Sequence, residues 1–248
     1  GIITAALAPW TGRDLDTAGL HEAAETLTRL YRDAGYFAAR AFVPPQGSKG
    51  VVRLDVYEGY LEPGGIEVRN EGRLVATESV LAILERHLAF DRPIHRADFE
   101  RALLLAEDLP GVHVSATLYP GTAVGTARLR VVLTEDAALS GNVDFDNYGN
   151  EFTGRERIGT TLYANSPGGV GDQAVARLVT SGRESNYAYF TYLRPVSASG
   201  TRVGASLDLF DYSTDAYADL GRARGRATDI RLYATHSLER SRHRNLHV

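Results

Sequence analysis

The chain has 248 residues with no cysteine, no methionine, one tryptophan and, among 27 basic residues, a single lysine. Without cysteine there is no thiol nucleophile, thiolate metal site or disulfide, a composition that suits any compartment, including an oxidising one. The lone Lys49 stands in a Pro/Gly-rich turn, which argues against Schiff-base or phosphate-loop lysine chemistry. With no methionine to initiate it, the chain reads as a processed protein or a piece of a longer one. No apolar run approaches the ~18 residues of a membrane helix. The start, Gly1-Ile2-Ile3-Thr4-Ala5-Ala6-Leu7-Ala8, lacks the basic lead-in of a signal peptide and reads as a helix whose upstream partner strand is missing. Excess positive charge is lacking too: the net charge is −4, which disfavours nucleic acid as the main partner.

What is present divides in two. Residues 1–136 carry helix-period patterns followed by short strands, whereas residues 137–248 show period-two alternation broken by turn residues. The first part holds 14 basic and 19 acidic residues, the second 13 and 12, so the acidity belongs to the first.

The first part repeats itself at a spacing of 75–76 residues: Gly35 matches Gly111, Phe42 matches Leu118, Pro44 matches Pro120, and Arg53-Leu54 and Val56 match Arg128-Leu129 and Val131. Each copy has a helix with apolar positions three or four apart (Leu20, Ala24, Leu27 and Leu30; Phe99, Leu103 and Ala106), then a glycine where a left-handed cap costs little, then two strands. Copy two begins earlier, with the strand Ile66–Arg69 and a helix from Thr77, giving strand, helix, helix, strand, strand. Copy one lacks its first strand. The expected domains are 1–62, 63–136 and 137–248.

The last region holds five to six alternating segments. Residues 202–209 split most clearly, with Val203, Ala205, Leu207 and Leu209 on one face and Arg202, Ser206 and Asp208 on the other; residues 142–146, 157–163 and 229–235 follow suit, and 173–179 and 187–193 do so weakly. A soluble sheet with one wet face and a membrane barrel both fit, because periodicity does not separate them. Glycines within strands, the aromatics Tyr187, Tyr189, Phe190, Tyr192, Phe210 and Tyr212 near strand ends, and alternately short (166–169, 195–200) and long (213–226) connections favour the barrel.

Catalysis finds little support. Asp144, Asp146, Asn147, Asn150 and Glu151 are closely spaced oxygens, but from Asp144 the twelfth position of a calcium loop is Arg155 where a bidentate glutamate is needed. His87, His95 and His113 fall on a helix end, a helix start and a strand start, without HExxH spacing, and read as solvated or capping. Gly168-Gly169-Val170-Gly171-Asp172 lacks the lysine and helix of a phosphate loop and reads as a turn between strands. No catalytic residue, metal or cofactor is expected.

The run Gly35-Tyr36-Phe37-Ala38-Ala39-Arg40-Ala41-Phe42-Val43-Pro44-Pro45-Gln46, with Arg53-Leu54-Asp55-Val56-Tyr57-Glu58-Gly59 after it, resembles the first polypeptide-transport-associated (POTRA) domain of two-partner secretion transporters, the haemolysin-activator and filamentous-haemagglutinin transporter family. The motif residues are Gly35, Tyr36, Arg40, Pro44, Pro45, Gln46, Glu58 and Gly59. The second repeat is similar to the second POTRA domain, and Asp146-Asn147-Tyr148-Gly149 through Asp172 to the first two barrel strands. The resemblance implies an α+β pair of POTRA domains (β-α-α-β-β) followed by the first antiparallel strands of a transmembrane β-barrel. Family members close a 16-strand barrel, so the sequence looks like an internal fragment.

That family exports one large partner exoprotein, a haemolysin, adhesin or contact-dependent toxin, unfolded across the Gram-negative outer membrane, with POTRA domains in the periplasm and a monomeric pore in lipid. The expected mechanism is capture of the partner's N-terminal secretion domain by strand addition at an edge holding Val114, Ala116 and Leu118, with Val80 and Leu84 as a helix wall. Those two helix residues also read as plain core. Arg157, Arg202, Asp208 and Arg231 would line the conduit. The alternatives are a factor that assembles other outer-membrane proteins, and a soluble periplasmic β-rich binding module.

Overall fold

The computed structural model describes residues 1–47, 50–182, 185–214 and 223–248. Lys49 and the middle of the expected 213–226 connection lie outside the described residues.

The first unit opens with helix α1 (Ile2–Leu7), a 3-10 turn (Ala8–Trp10) and α2 (Thr17–Asp33). Asp16 caps α2 by accepting from the Gly19 N–H at 2.8 Å, satisfying a donor with no partner inside the helix. Its apolar stripe buries Ala23, Ala24 and Leu27. Strands β1 (Arg40–Phe42) and β2 (Asp55–Tyr57) pair antiparallel behind it. Buried Thr28 ties the layers together, donating to the Ala24 carbonyl and accepting the Ala41 N–H at 3.0 Å.

The second unit is strand β3 (Tyr60–Asn70), helices α3 (Thr77–His87) and α4 (Arg96–Glu107), and strands β4 (Val112–Pro120) and β5 (Thr126–Glu135). The sheet order is β3-β5-β4, with β5 central, parallel to β3 and antiparallel to β4. Alternation along β5 sends Leu129, Val131 and Leu133 into the core under α3 and α4 and leaves Arg128 and Val132 on the open face. Full burial of such side chains stabilises by about 1.5–3 kcal/mol each. The expected border between residues 62 and 63 falls inside β3. That strand begins at Tyr60 because Tyr60 and Leu61 already pair with Thr126 and Ala127, ahead of an irregularity around Pro63-Gly64-Gly65.

The third unit is one antiparallel sheet of seven consecutive strands: β6 (Leu139–Asp146), β7 (Arg157–Asn165), β8 (Gln173–Thr180), β9 (Ser185–Pro195), β10 (Thr201–Thr214), β11 (Ala223–Arg240) and β12 (Asn245–His247). The short β12 carries no alternation long enough to signal a strand. Residues directly opposite in the register share a face, so the two faces can be read across all neighbours. One face carries Val143, Ile158, Leu178, Phe190, Leu209 and Ile230; the other carries Asn142, Thr161, Arg177, Tyr189, Asp208 and Asp229. The apolar face is the outer one: Ile230 is 71% and Leu232 82% exposed, while Thr161 and Ser206 on the polar face are buried. The sheet therefore curls with its polar side inward.

Candidate functional site

Strand β4 pairs only with β5 and forms one edge of the second unit's sheet. The Val114 N–H points away from β5, to Oε2 of Glu107 at 2.5 Å. Antiparallel alternation then directs the backbone groups of Ala116 and Leu118 outward as well. Their side chains, with that of Val114, pack partly buried against the core beside Phe99 and Leu103 of α4. The helix next to β4 is thus α4. Val80 and Leu84, expected as a wall, lie on α3 and are fully buried; they are core, because α3 presents its apolar stripe to the sheet interior.

At the start of β4 the imidazole of His113 contacts Glu107 Oε1 and Asp136 Oδ2, each at 3.2 Å. The Glu107 contact first, then the Asp136 charge, raises its pKa above the ordinary histidine value. Across the sheet, burial works to raise the Glu135 carboxyl, but hydrogen bonds from Asn70 and from the N–H groups of Leu74 and Val75 outweigh it and leave the pKa low. That carboxylate fixes the turn leading into α3.

The motif glycines belong to the joint between the first two units. Gly35 has φ +99° and lies so close to His95 that a Cβ would sit 2.3 Å from Nε2, so only glycine fits there. His95 Nε2–H donates to the Ala34 carbonyl at 3.2 Å, its Nδ1 accepts from Ala97 N–H, and Tyr36 meets the ring edge-on. The Gly59 carbonyl accepts from Ile94 N–H at 2.8 Å. Gln46 clasps the backbone of Arg53 through both amide atoms, at 2.9 and 2.8 Å, holding the loop that follows Pro44 and Pro45. Arg40 pairs with Tyr57 in the register, and Glu58 accepts from the Tyr60 hydroxyl.

On the polar face of the curled sheet, charges pair across strands. Arg157 bonds Asp146 at 2.8 Å, Arg177 bonds Asp144 at 3.3 Å, and Asp208 accepts from Tyr187 at 2.7 Å while facing Arg231 at 3.4 Å. Arg231 also contacts Asp229 at 2.5 Å. Arg202 differs from expectation. It shares this face, but its guanidinium donates to the Asp108 carbonyl at the end of α4, at 2.5 Å, so it holds the second unit to the strands rather than lining an open wall. The three carboxylates of the 144–151 cluster are engaged with arginines, Glu151 with Arg155 at 3.2 Å, and Asn150 Oδ1 accepts from Phe152 N–H.

Arg202 is one part of a joint that the sequence did not signal. Asp108 takes two bonds from Arg240, at 2.7 and 2.8 Å. Arg101 reaches the carbonyls of Ser237, Leu238 and Ser199, at 2.5, 3.3 and 3.5 Å, and the Ala76 N–H donates to Gly169 in the β7–β8 turn. His87 lies half-buried beside it; desolvation first, then Arg101, lowers its pKa. The aromatics expected near strand ends divide between the two faces of the sheet. Tyr187, Tyr189, Phe210 and Tyr212 fall on the polar face by register, and only Phe190 and Tyr192 fall on the apolar one.

Comparison with known proteins follows the same division. Residues 2–59 match a family model described as POTRA domain, ShlB-type, and residues 125–248 match the model of the haemolysin secretion/activation protein ShlB/FhaC/HecB. The chain is 25% identical over 229 residues to the heme/hemopexin transporter protein HuxB of Haemophilus influenzae, covering 92% of this chain and 40% of that protein. It is 26% identical over 208 residues to the outer membrane transporter CdiB of Escherichia coli, covering 84% of this chain and 34% of the relative. The solved structure of CdiB from Escherichia coli superposes with a TM-score of 0.75 at 23% identity, over 97% of this chain and 45% of that one. The chain thus spans about two fifths or less of the curated relatives it matches. With the POTRA-type units, the curled strand meander and a family model over half its length, the chain belongs to the haemolysin secretion/activation protein ShlB/FhaC/HecB family.

Proposed function

We propose that the protein is part of an outer-membrane pore that captures a large exoprotein in the periplasm through its POTRA units and passes it out unfolded. The single observation that carries this reading is the two-faced sheet. A continuous apolar outer face of this extent is foreign to soluble monomers, and a polar, charge-paired inner face suits a conduit for an extended chain. The names of the relatives, a heme/hemopexin transporter and an outer membrane transporter, support the same class. Capture proceeds by strand addition at β4, whose outward backbone groups at Ala116 and Leu118 supply the ladder. Asp208, Arg157 and Arg231 keep the wall wet and mixed in charge, so a polar chain slides without sticking. The pore is monomeric and its apolar face meets lipid. No bond-making chemistry is required of it.

Secretion tests this. Cells carrying the full-length gene and the gene for a large exoprotein beside it are scored for exoprotein in the medium. Ala116→Pro removes an outward N–H while leaving the β5 ladder intact, because Ala116 faces Val131 in a pair that makes no hydrogen bonds across to β5. The expected result is retention in the periplasm with the transporter still in the outer membrane; unchanged secretion by a folded Ala116→Pro transporter sinks the edge role. Loss of other outer-membrane proteins on deletion of the gene favours an assembly factor, and a chain that stays dispersed without detergent favours a soluble module.

A further inference from the structure

The free edge of β4 is shorter than the strand. Val112 N–H donates to the Leu109 carbonyl at 3.2 Å, Val114 N–H is taken by the Glu107 carboxylate, and Pro120 has no N–H. Of the outward-facing residues, only Ala116 and Leu118 offer a donor to an incoming strand. The two ends of β4 also differ in what they abut. Gly111, before its start, lies against Asn165 of β7, and Leu109 lies against Gly171 in the β7–β8 turn; past its end, Gly125 lies against Tyr57 of the first unit. Glu107 therefore stands between the open stretch and the curled sheet, held from behind by His113, itself tied to Asp136.

We propose that Glu107 is a stop: it ends an added strand at Ala116 and turns the captured chain off the POTRA sheet toward the polar face of the barrel strands. This rests on the strand-addition reading above. The occupant is an extended segment of the exported chain. Its alternate side chains are apolar where they meet Phe99, Leu103, Ala116 and Leu118. They are neutral or basic at the barrel-ward end, where the carboxylates of Glu107 and Asp136 repel an acid. Without the stop, the segment would continue pairing along Val114 and stay in the sheet.

These 248 residues hold no cysteine, so once any cysteine elsewhere in the full-length transporter is replaced by serine an introduced one is unique. Ser115 and Thr117 lie between the outward-bonding residues, where an added strand comes closest, with Cα atoms about 4.5 Å apart. Full-length transporter in detergent, carrying Thr117→Cys or Ser115→Cys, is oxidised with a synthetic peptide of alternating valine and threonine bearing one central cysteine. Thr117→Cys is expected to trap the peptide and Ser115→Cys to trap it about fivefold less, the worth of the one backbone hydrogen bond withheld at Val114. Adding Glu107→Ala brings the two yields together. Adding Glu107→Gln, whose amide oxygen still accepts the Val114 N–H, keeps them apart and controls for folding. Equal trapping with Glu107 in place overturns the proposal. So does an unchanged ratio in Glu107→Ala, including the case where that variant merely self-associates because the carboxylate only shielded the edge. Absence of trapping in every variant means that strand addition itself fails, and the stop falls with it. A difference in trapping together with normal secretion by Ala116→Pro would show that the edge takes a strand without serving export, and overturns the part of Glu107 in turning the exported chain.

Discussion

The second unit and the curled sheet are written in the same period-two pattern, and their apolar faces have opposite fates. Along β5, Leu129 and Val131 are 1% and 0% exposed because α3 and α4 cover them. Along β11, Ile230 and Leu232 face outward with no helix over them. Alternation fixes which side chains share a face; what covers that face is decided by the elements between the strands. Helices intervene in the POTRA unit, and turns intervene in the meander.

The largest effect expected from this contrast is in the covered sheet. Leu129→Ala leaves a cavity among residues that cannot collapse onto it and should cost about 2–5 kcal/mol, measured by chemical denaturation of the second unit in the full-length protein. On the uncovered face, Leu232→Arg should cost about 2–4 kcal/mol in lipid if it lies near the bilayer midplane, read from unfolding in vesicles; a cost near zero would mean that water, not lipid, meets this face. Between the two sheets lies Asp108. Asp108→Ala strips Arg240 of its carboxylate in a sheltered position, leaving it Asn245, and should loosen the joint by about 1.5–3 kcal/mol, the range for hydrogen bonds to charged groups, seen as faster amide exchange in α4 and the end of β11.

The smallest effect is on pH dependence. His113 has a raised pKa, so it binds its proton more tightly folded than unfolded. Its contribution to stability is complete below the unfolded histidine value and disappears as pH rises through the folded one. His87 is shifted the other way and contributes the opposite slope. His113→Gln should therefore leave a melting temperature that only rises with pH across the histidine range. A melting curve still falling with pH in that variant would place the proton elsewhere.

Much of this was legible in the sequence. The order strand, helix, helix, strand, strand in the second repeat and six of the seven strands of the meander are found where alternation and helical spacing put them. The Gly35-Tyr36 and Glu58-Gly59 pairs stood out as a family signature, but their purpose, seating His95 and Ile94 of the next unit, needed the fold, since the partners lie far along the chain. The division of the aromatics between the two faces needed the register, since closeness in sequence hides parity: Tyr189 and Phe190 are neighbours on opposite faces. Arg202 is on the expected face, and its place at the strand end beside Asp108 sets it against the second unit instead of an open wall. Glu107 gave no signal at all. An acid in the last turn of a helix opposes the helix dipole, and only the return of the chain along β4 brings an N–H to it.

The grip of Arg101 on the β9–β10 turn and the end of β11 has a consequence of its own. One side chain of α4 thus braces two separate places in the curled sheet, the turn that joins β9 to β10 and the far end of β11. Tension on a chain held at the POTRA edge would then be carried into the barrel strands at two points at once.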